Sequence, residues 1–136
     1  MAIAFLAIMA TIVVSSLRPM SELYKNTHAN ILSFDHEFHF AAYFALAFSG
    51  LLAFARRDIG IAGRFNAWTA FILFGAAMEI LQATLPGINR TCTMSDLTAN
   101  AAGAAIAVIL IPRVWLAAGR TDASAASEIQ GYSKTA

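Results

Sequence analysis

The sequence is poor in charged residues and in cysteine. Asp, Glu, Lys and Arg make up 12% of its 136 residues, the formal net charge is +1, and there is one cysteine. A single cysteine excludes an internal disulfide. The near-neutral charge, without any basic stripe, argues against a nucleic-acid partner, because such proteins neutralise phosphates with clustered Lys and Arg. The sequence also lacks the G-x-S-x-G motif of serine hydrolases.

Apolar residues, in contrast, are abundant. They form 59% of the chain, and the mean hydropathy of +0.65 is too high for a soluble domain of this size. Four apolar segments cover residues 2–17, 38–54, 65–85 and 97–116. As helices they would be roughly 24–32 Å long, close to the thickness of the hydrocarbon layer. The sequence therefore predicts an all-α integral membrane bundle of four transmembrane helices.

The Lys and Arg residues of the connecting segments predict the orientation of this bundle. Six lie in the loop after the second segment or at the C-terminal end, and three lie in the other two loops. Because cytoplasmic loops carry the excess of Lys and Arg, both termini are expected in the cytoplasm and the first and third loops outside. The expected location is the inner (cytoplasmic) membrane of a bacterial cell, with several passes.

The end of the chain differs in composition from the apolar segments. From Gly119 onward, Ala, Ser and Thr alternate with charges of both signs. This composition predicts a disordered C-terminal tail over residues 119–136, after a single transmembrane domain over residues 1–118.

Polar residues occur at helical spacings near the predicted outer ends of the segments. Glu79 and Gln82 are three residues apart, and Asp35, His39 and Tyr43 follow one another at intervals of four. Each set therefore shares one helix face. A carboxylate placed centrally in a membrane costs roughly 2.5–3.5 kcal/mol on insertion scales, so Glu79 is expected to point into the bundle.

With this topology the polar residues of several segments converge at the outer end of the bundle. We predict that they line one outward-facing binding pocket, and its residues are Arg18, Asp35, His39, Glu79, Gln82, Arg90, Asp96 and Asn100. A purely structural alternative has Glu79 paired with Arg18 or Arg90, Asp96 capping the last segment and Asn100 joining helices.

Three of these residues are also candidates for catalysis. His39, Glu79 and Asp96 are the residue types that act as general acid or base, here on a lipid-linked phosphate held by arginines. They also suit zinc, yet the chain has no H-E-x-x-H or paired-cysteine pattern, so neither a metal nor a cofactor is predicted. From the sequence alone, whether the protein is an enzyme is left open.

The last apolar segment carries a stripe of small residues below its polar end. Asn100, Gly103 and Ala107 follow at helical spacing. Small residues allow helix backbones to approach closely, and Asn can hydrogen-bond across the contact. This face is therefore expected to pack against another helix, either of the same bundle or of a partner membrane protein.

Several of these residues together resemble the VanZ-like family of small bacterial membrane proteins. The resemblance runs from Asp35 to Gly103 and covers about half of the chain. Its motifs, in order, are D-x-x-x-H-F-x-x-Y from Asp35 to Tyr43, E-I-L-Q from Glu79 to Gln82, Pro86–Gly87, Arg90, and D-x-x-A-N-x-x-G from Asp96 to Gly103. Where the family commonly has Lys after the first Asp, this chain has His36, and Thr93 stands where a Ser is often found.

The resemblance implies a polytopic inner-membrane protein of the bacterial cell envelope, of a family associated with resistance to the glycopeptide antibiotic teicoplanin. Together with the predicted pocket it leads to our expectation that the protein engages an envelope lipid or a cell-wall precursor. The alternatives are the enzyme acting on a lipid-linked phosphate and the membrane assembly partner.

Overall fold

The computed structural model describes residues 1–18, 35–55, 59–88 and 93–134. Over these residues the chain forms four α-helices and no strand: α1 (Ala2–Ser16), α2 (Asp35–Phe54), α3 (Ile61–Thr84) and α4 (Met94–Lys134). The all-helical fold predicted from the sequence is confirmed.

Three of the helices are long and apolar enough to cross a membrane, over His36–Phe54, Ile61–Thr84 and Met94–Leu116. The fourth, α1, is apolar but has only 15 residues, or about 22 Å. It packs antiparallel to α2, because Phe5 near its start contacts Phe54 at the end of α2 with ring centroids 5.3 Å apart. Further along, Ile12 packs with Tyr43 and Leu46.

The outer surface of the bundle is apolar on every helix. Large exposed side chains include Ile3 on α1, Phe38 on α2, Leu73 on α3 and Ile109 on α4. A soluble protein rarely exposes such extensive apolar surface. Lipid is therefore the natural environment of these helices.

The centre of the bundle is built on a close contact between α2 and α4. Ala47, Ala104 and Ala107 are fully buried there. At Gly103 the two backbones almost touch, since a Cβ atom on this residue would lie 2.2 Å from the carbonyl oxygen of Phe40. The small-residue face predicted for the last segment is thus covered by α2 of the same chain.

Each of the three long helices begins three or four residues before its predicted apolar segment. The first turns of α2 and α4 contain polar residues such as His36 and Asp96. The first N–H groups of a helix lack partners within the helix and are satisfied by polar side chains or water. The apolar segment of each helix therefore begins about one turn after the helix itself.

The C-terminal part differs from the expectation of a disordered tail, because α4 continues to Lys134. Residues 117–127 include five alanines, and alanine has the highest helix propensity. Adding residues to an existing helix is also far easier than starting one. The division of the chain into a domain and a tail near residue 118 stays a prediction.

A tight turn ends α3 and directs the chain toward α4. Pro86 and Gly87 occupy its central positions, and the N–H of Ile88 donates to the carbonyl of Leu85 at 3.5 Å. Gly87 has φ +86°, the value that a type II turn requires at its third residue and that glycine adopts without strain. The turn places the C-terminal end of α3 beside the start of α4.

Candidate functional site

The functional candidates lie where α2 begins, α3 ends and α4 begins. Four polar side chains are almost completely buried at this end: Glu79 is 2% exposed, Gln82 3%, Asp96 5% and Asn100 1%. We call these four residues together with His39 the polar cluster. Burying an ionisable group at such a position costs free energy unless the group is paired or takes part in binding or catalysis.

His39 connects the three helices. Its Nδ1 atom lies 3.0 Å from the side-chain oxygen of Asn100 on α4. The same nitrogen lies 3.9 Å from Oε1 of Glu79 on α3. These distances confirm that residues 61 positions apart in the chain meet in one place.

Asp96 lies in the first turn of α4 and is held there by Thr93. The Thr93 hydroxyl accepts a hydrogen bond from the N–H of Asp96 at 3.2 Å and donates one to its carboxylate. Thr93 is thus the N-cap of α4, and the capping role that the structural alternative gave to Asp96 was wrong. The positive end of the helix dipole also favours a carboxylate at this position.

The other histidine of α2, His36, contacts Asp96 from the exposed side of the cluster. Nδ1 of His36 lies 3.3 Å from Oδ1 of Asp96, with a His36 side chain that is 59% exposed. The predicted pocket did not include this residue. Its spacing of three residues from His39, on the same helix face, is the signal that points to the cluster.

Two amide groups in the cluster have unused donors. Gln82 Nε2 and Asn100 Nδ2 are buried and have no hydrogen-bond partner within the described part of the chain. A buried donor without a partner costs about 1–3 kcal/mol. The cluster therefore offers both carboxylate oxygens and N–H groups to a ligand.

Space for these amides is made by Gly75, one turn before Glu79. A Cβ atom there would lie 3.1 Å from Asn100 Nδ2 and 3.1 Å from the Tyr43 ring. Tyr43 itself is 3% exposed. It belongs to the core beneath His39, not to the membrane interface where a Tyr near a helix end is often found.

The remaining predicted pocket residues are placed differently. Arg18 follows the end of α1, at the same end of the bundle, but its side chain is exposed. Asp35 is the first residue of α2, and its side chain lies outside the described part of the structure. Arg90 also lies outside the described residues. The structure thus brings together five of the eight predicted residues.

Three chemically active side chains of the cluster are close enough to share one ligand. One ligand atom each from His39, Glu79 and Asp96 lies within 4.8 Å of the other two. General acid–base chemistry and metal binding can both use an imidazole and carboxylates that lie this close together.

A comparison with protein families gives a match over most of the chain. A model of the family described as VanZ/LLP1 matches residues 1–116. The chain belongs to the VanZ/LLP1 family. The match includes all of α1 to α3 and the part of α4 that carries the cluster, so the polar cluster of this VanZ-family chain lies within the matched region. No curated protein and no solved structure matches the chain.

Proposed function

We propose that the polar cluster of this VanZ-family membrane protein binds the head group of an envelope lipid or a cell-wall precursor, and thereby alters susceptibility to glycopeptide antibiotics such as teicoplanin. The supporting observation is the burial of Glu79, Gln82, Asp96 and Asn100 at one end of an otherwise apolar bundle. In the proposed topology α1 also crosses the inner membrane, both termini are cytoplasmic, and the cluster opens outward.

Glu79 supports a binding role more strongly than Asp96 does. Asp96 has a structural reason to be present, because it forms the hydrogen-bonded first turn of α4 with Thr93. Glu79 lies in the C-terminal third of α3, five residues before Thr84, where the distant N-terminus of that helix does not stabilise its negative charge. Glu79 does not cap a helix and lies 3.9 Å from His39, and we propose that its carboxylate also contacts the ligand.

The donors of the cluster favour a ligand with several polar groups. Gln82 Nε2 and Asn100 Nδ2 can donate to carbonyl or hydroxyl oxygens, and the carboxylates can accept from amide or amine N–H groups. An amide-rich or hydroxyl-rich head group fits this combination. Arg18, exposed at the same end, and Arg90 are the cations proposed to contact an anionic part of the ligand.

The test compares Glu79→Gln and Asp96→Asn with the wild type in cells. Folded membrane yield and teicoplanin susceptibility are measured for each variant, with Glu37→Gln as control because Glu37 is an exposed glutamate at the same end of α2. We expect changed susceptibility at normal yield for Glu79→Gln and no change for Glu37→Gln. Parallel loss of yield and phenotype in both cluster variants would assign the cluster to the scaffold.

A second candidate function is acid–base catalysis on a lipid-linked phosphate. It is favoured by the mutual distance of no more than 4.8 Å between ligand atoms of His39, Glu79 and Asp96. Incubating the purified chain with labelled envelope lipids, in the presence and absence of chelator, tests it. An absence of turnover over a broad lipid panel would remove this candidate.

The assembly-partner hypothesis is weaker. Gly103 packs against the backbone of α2, and Asn100 and Ala107 are buried in the same chain. This face is therefore already covered, and a partner helix would have to use another surface.

A further inference from the structure

We propose that His39, Glu79 and Asp96 bind a single zinc ion. No metal was predicted from the sequence, because the ligands come from three separate helices and no local motif connects them. In the structure the packing of the helices brings ligand atoms of these three residues within 4.8 Å of one another. This inference does not depend on the proposed binding of an envelope component.

The distances fit a zinc site after small side-chain rotations. Zinc bonds to His nitrogen and carboxylate oxygen are about 2.0–2.2 Å long, which places two ligands of a tetrahedral site about 3.4 Å apart. His39 Nδ1 and Glu79 Oε1 are 3.9 Å apart. All three ligand atoms lie within 4.8 Å of one another, so any two of them have to approach by at most about 1.4 Å.

The charges of the site also favour a divalent cation. Glu79 and Asp96 are both buried, and two ionised carboxylates in such surroundings repel each other unless a positive charge lies between them. A zinc ion neutralises both. An imidazole ligand distinguishes zinc from magnesium and calcium, which prefer oxygen ligands alone.

A second, independent observation points to a ligand at the same place. The amide of Asn100 borders His39, with its oxygen 3.0 Å from Nδ1, while its buried Nδ2 donor lacks a hydrogen-bond partner among the described residues. An ion at Nδ1 takes the place of the proton that Asn100 Oδ1 accepts, and this oxygen then becomes an additional ligand. The Nδ2 group is left to donate to a water or anion bound to the metal.

His36 provides the route by which the ion reaches the site. It is exposed, and its Nδ1 lies 3.3 Å from Oδ1 of buried Asp96. An ion captured by His36 can therefore pass to Asp96 over one ligand distance. His36 is a transient ligand on the way in and not part of the final site in this scheme, so its replacement should slow loading more than it weakens affinity.

The test uses the full chain purified in detergent, stripped with chelator and titrated with Zn²⁺ against a chromophoric chelator. Bound metal is counted by mass spectrometry after desalting, and Mg²⁺ and Mn²⁺ are titrated in parallel. We expect one zinc per chain, selected over magnesium. His39→Gln and Glu79→Gln should each weaken zinc binding by about 100-fold or more, at least the loss seen for outer-sphere partners. Glu37→Gln is the matched control and should bind as the wild type does.

Cobalt provides a second readout that needs no variant. Co²⁺ bound in place of zinc should give the intense visible absorption of a four- or five-coordinate site in the wild-type chain. Monodisperse wild-type protein that retains no zinc and shows no such absorption would overturn the proposal, as would equal zinc binding by wild type and a folded His39→Gln variant. Loss of binding in His36→Gln alone would show adsorption at the surface and would also overturn it.

Discussion

The side chain of His39 on α2 is joined to that of Asn100 on α4 by a partly buried contact of 3.0 Å between Nδ1 and Oδ1. This contact lies directly above the place where the two helix backbones meet at Gly103. The packing of α2 against α4 and the His39–Asn100 part of the polar cluster therefore depend on the same two helices. The variants have to be chosen so that effects on stability can be separated from effects on ligand binding.

Replacement of Asn100 tests the contact itself. In Asn100→Ala the partly buried His39 imidazole loses its 3.0 Å contact with Oδ1, and removing one partner of a hydrogen bond inside a protein costs about 1–3 kcal/mol. We expect lower thermal stability in detergent by this amount. Asn66→Ala is the matched control, because Asn66 is exposed on α3, and it should change stability by less than about 0.5 kcal/mol. Equal effects of the two substitutions would show that the His39–Asn100 contact is energetically neutral.

Gly103 is predicted to be intolerant of any side chain. A Cβ atom would lie 2.2 Å from Phe40 O and 2.9 Å from Phe44 N, and backbone atoms of a packed helix cannot move aside locally. Gly103→Ala should therefore destabilise the bundle by about 1–3 kcal/mol or more, measured as folded yield and melting temperature. At Gly60, where a Cβ atom would meet nothing within 4 Å, the same substitution should be much milder. A stable Gly103→Ala variant would contradict the close approach of α2 and α4.

Thr93 is predicted to stabilise the start of α4 through its hydroxyl group. Thr93→Ala removes the hydrogen bonds to the N–H and the carboxylate of Asp96, and loss of an N-cap typically costs about 1 kcal/mol. Thr93→Ser keeps the hydroxyl and should retain nearly all of the stability. The melting temperatures of the two variants provide the comparison, and indistinguishable values would show that the cap does not hold Asp96 in place.

The orientation of the bundle can be tested with the chain's single cysteine, Cys92. Loop three is proposed to lie outside, so a membrane-impermeant maleimide should label Cys92 in intact cells. In a Cys92→Ser background, Ser133→Cys should be labelled only after the cells are permeabilised. The reverse pattern would place the termini outside and would move the cluster to the cytoplasmic end.

Much of this fold follows from simple spacing in the sequence. Glu79 and Gln82 share one helix face and are buried together, since the membrane penalises a carboxylate that faces lipid. Gly103 and Ala107 predicted a close helix contact for the same type of reason. Both predictions depend on one helix at a time, and helical periodicity determines which residues share its faces.

Other features depend on the relative rotation of packed helices about their axes. The sequence of a single segment does not determine this rotation. The pairing of His36 with Asp96 and of His39 with Asn100 and Glu79 requires the relative rotation of three helices. Burial of Tyr43 likewise depends on the gap left by Gly75 on α3. The cap at Thr93 had a local signal, since Thr and an acidic residue three positions later form a capping pattern.

The most direct test of the central claim is binding of a lipid-linked cell-wall precursor to the purified full-length chain, followed by native mass spectrometry from detergent. The wild type and the Glu37→Gln control are expected to retain the precursor, whereas folded Glu79→Gln protein is expected to lose it. Equal retention by wild type and Glu79→Gln, or no retention by either, would contradict the proposal that the polar cluster binds this component of the envelope.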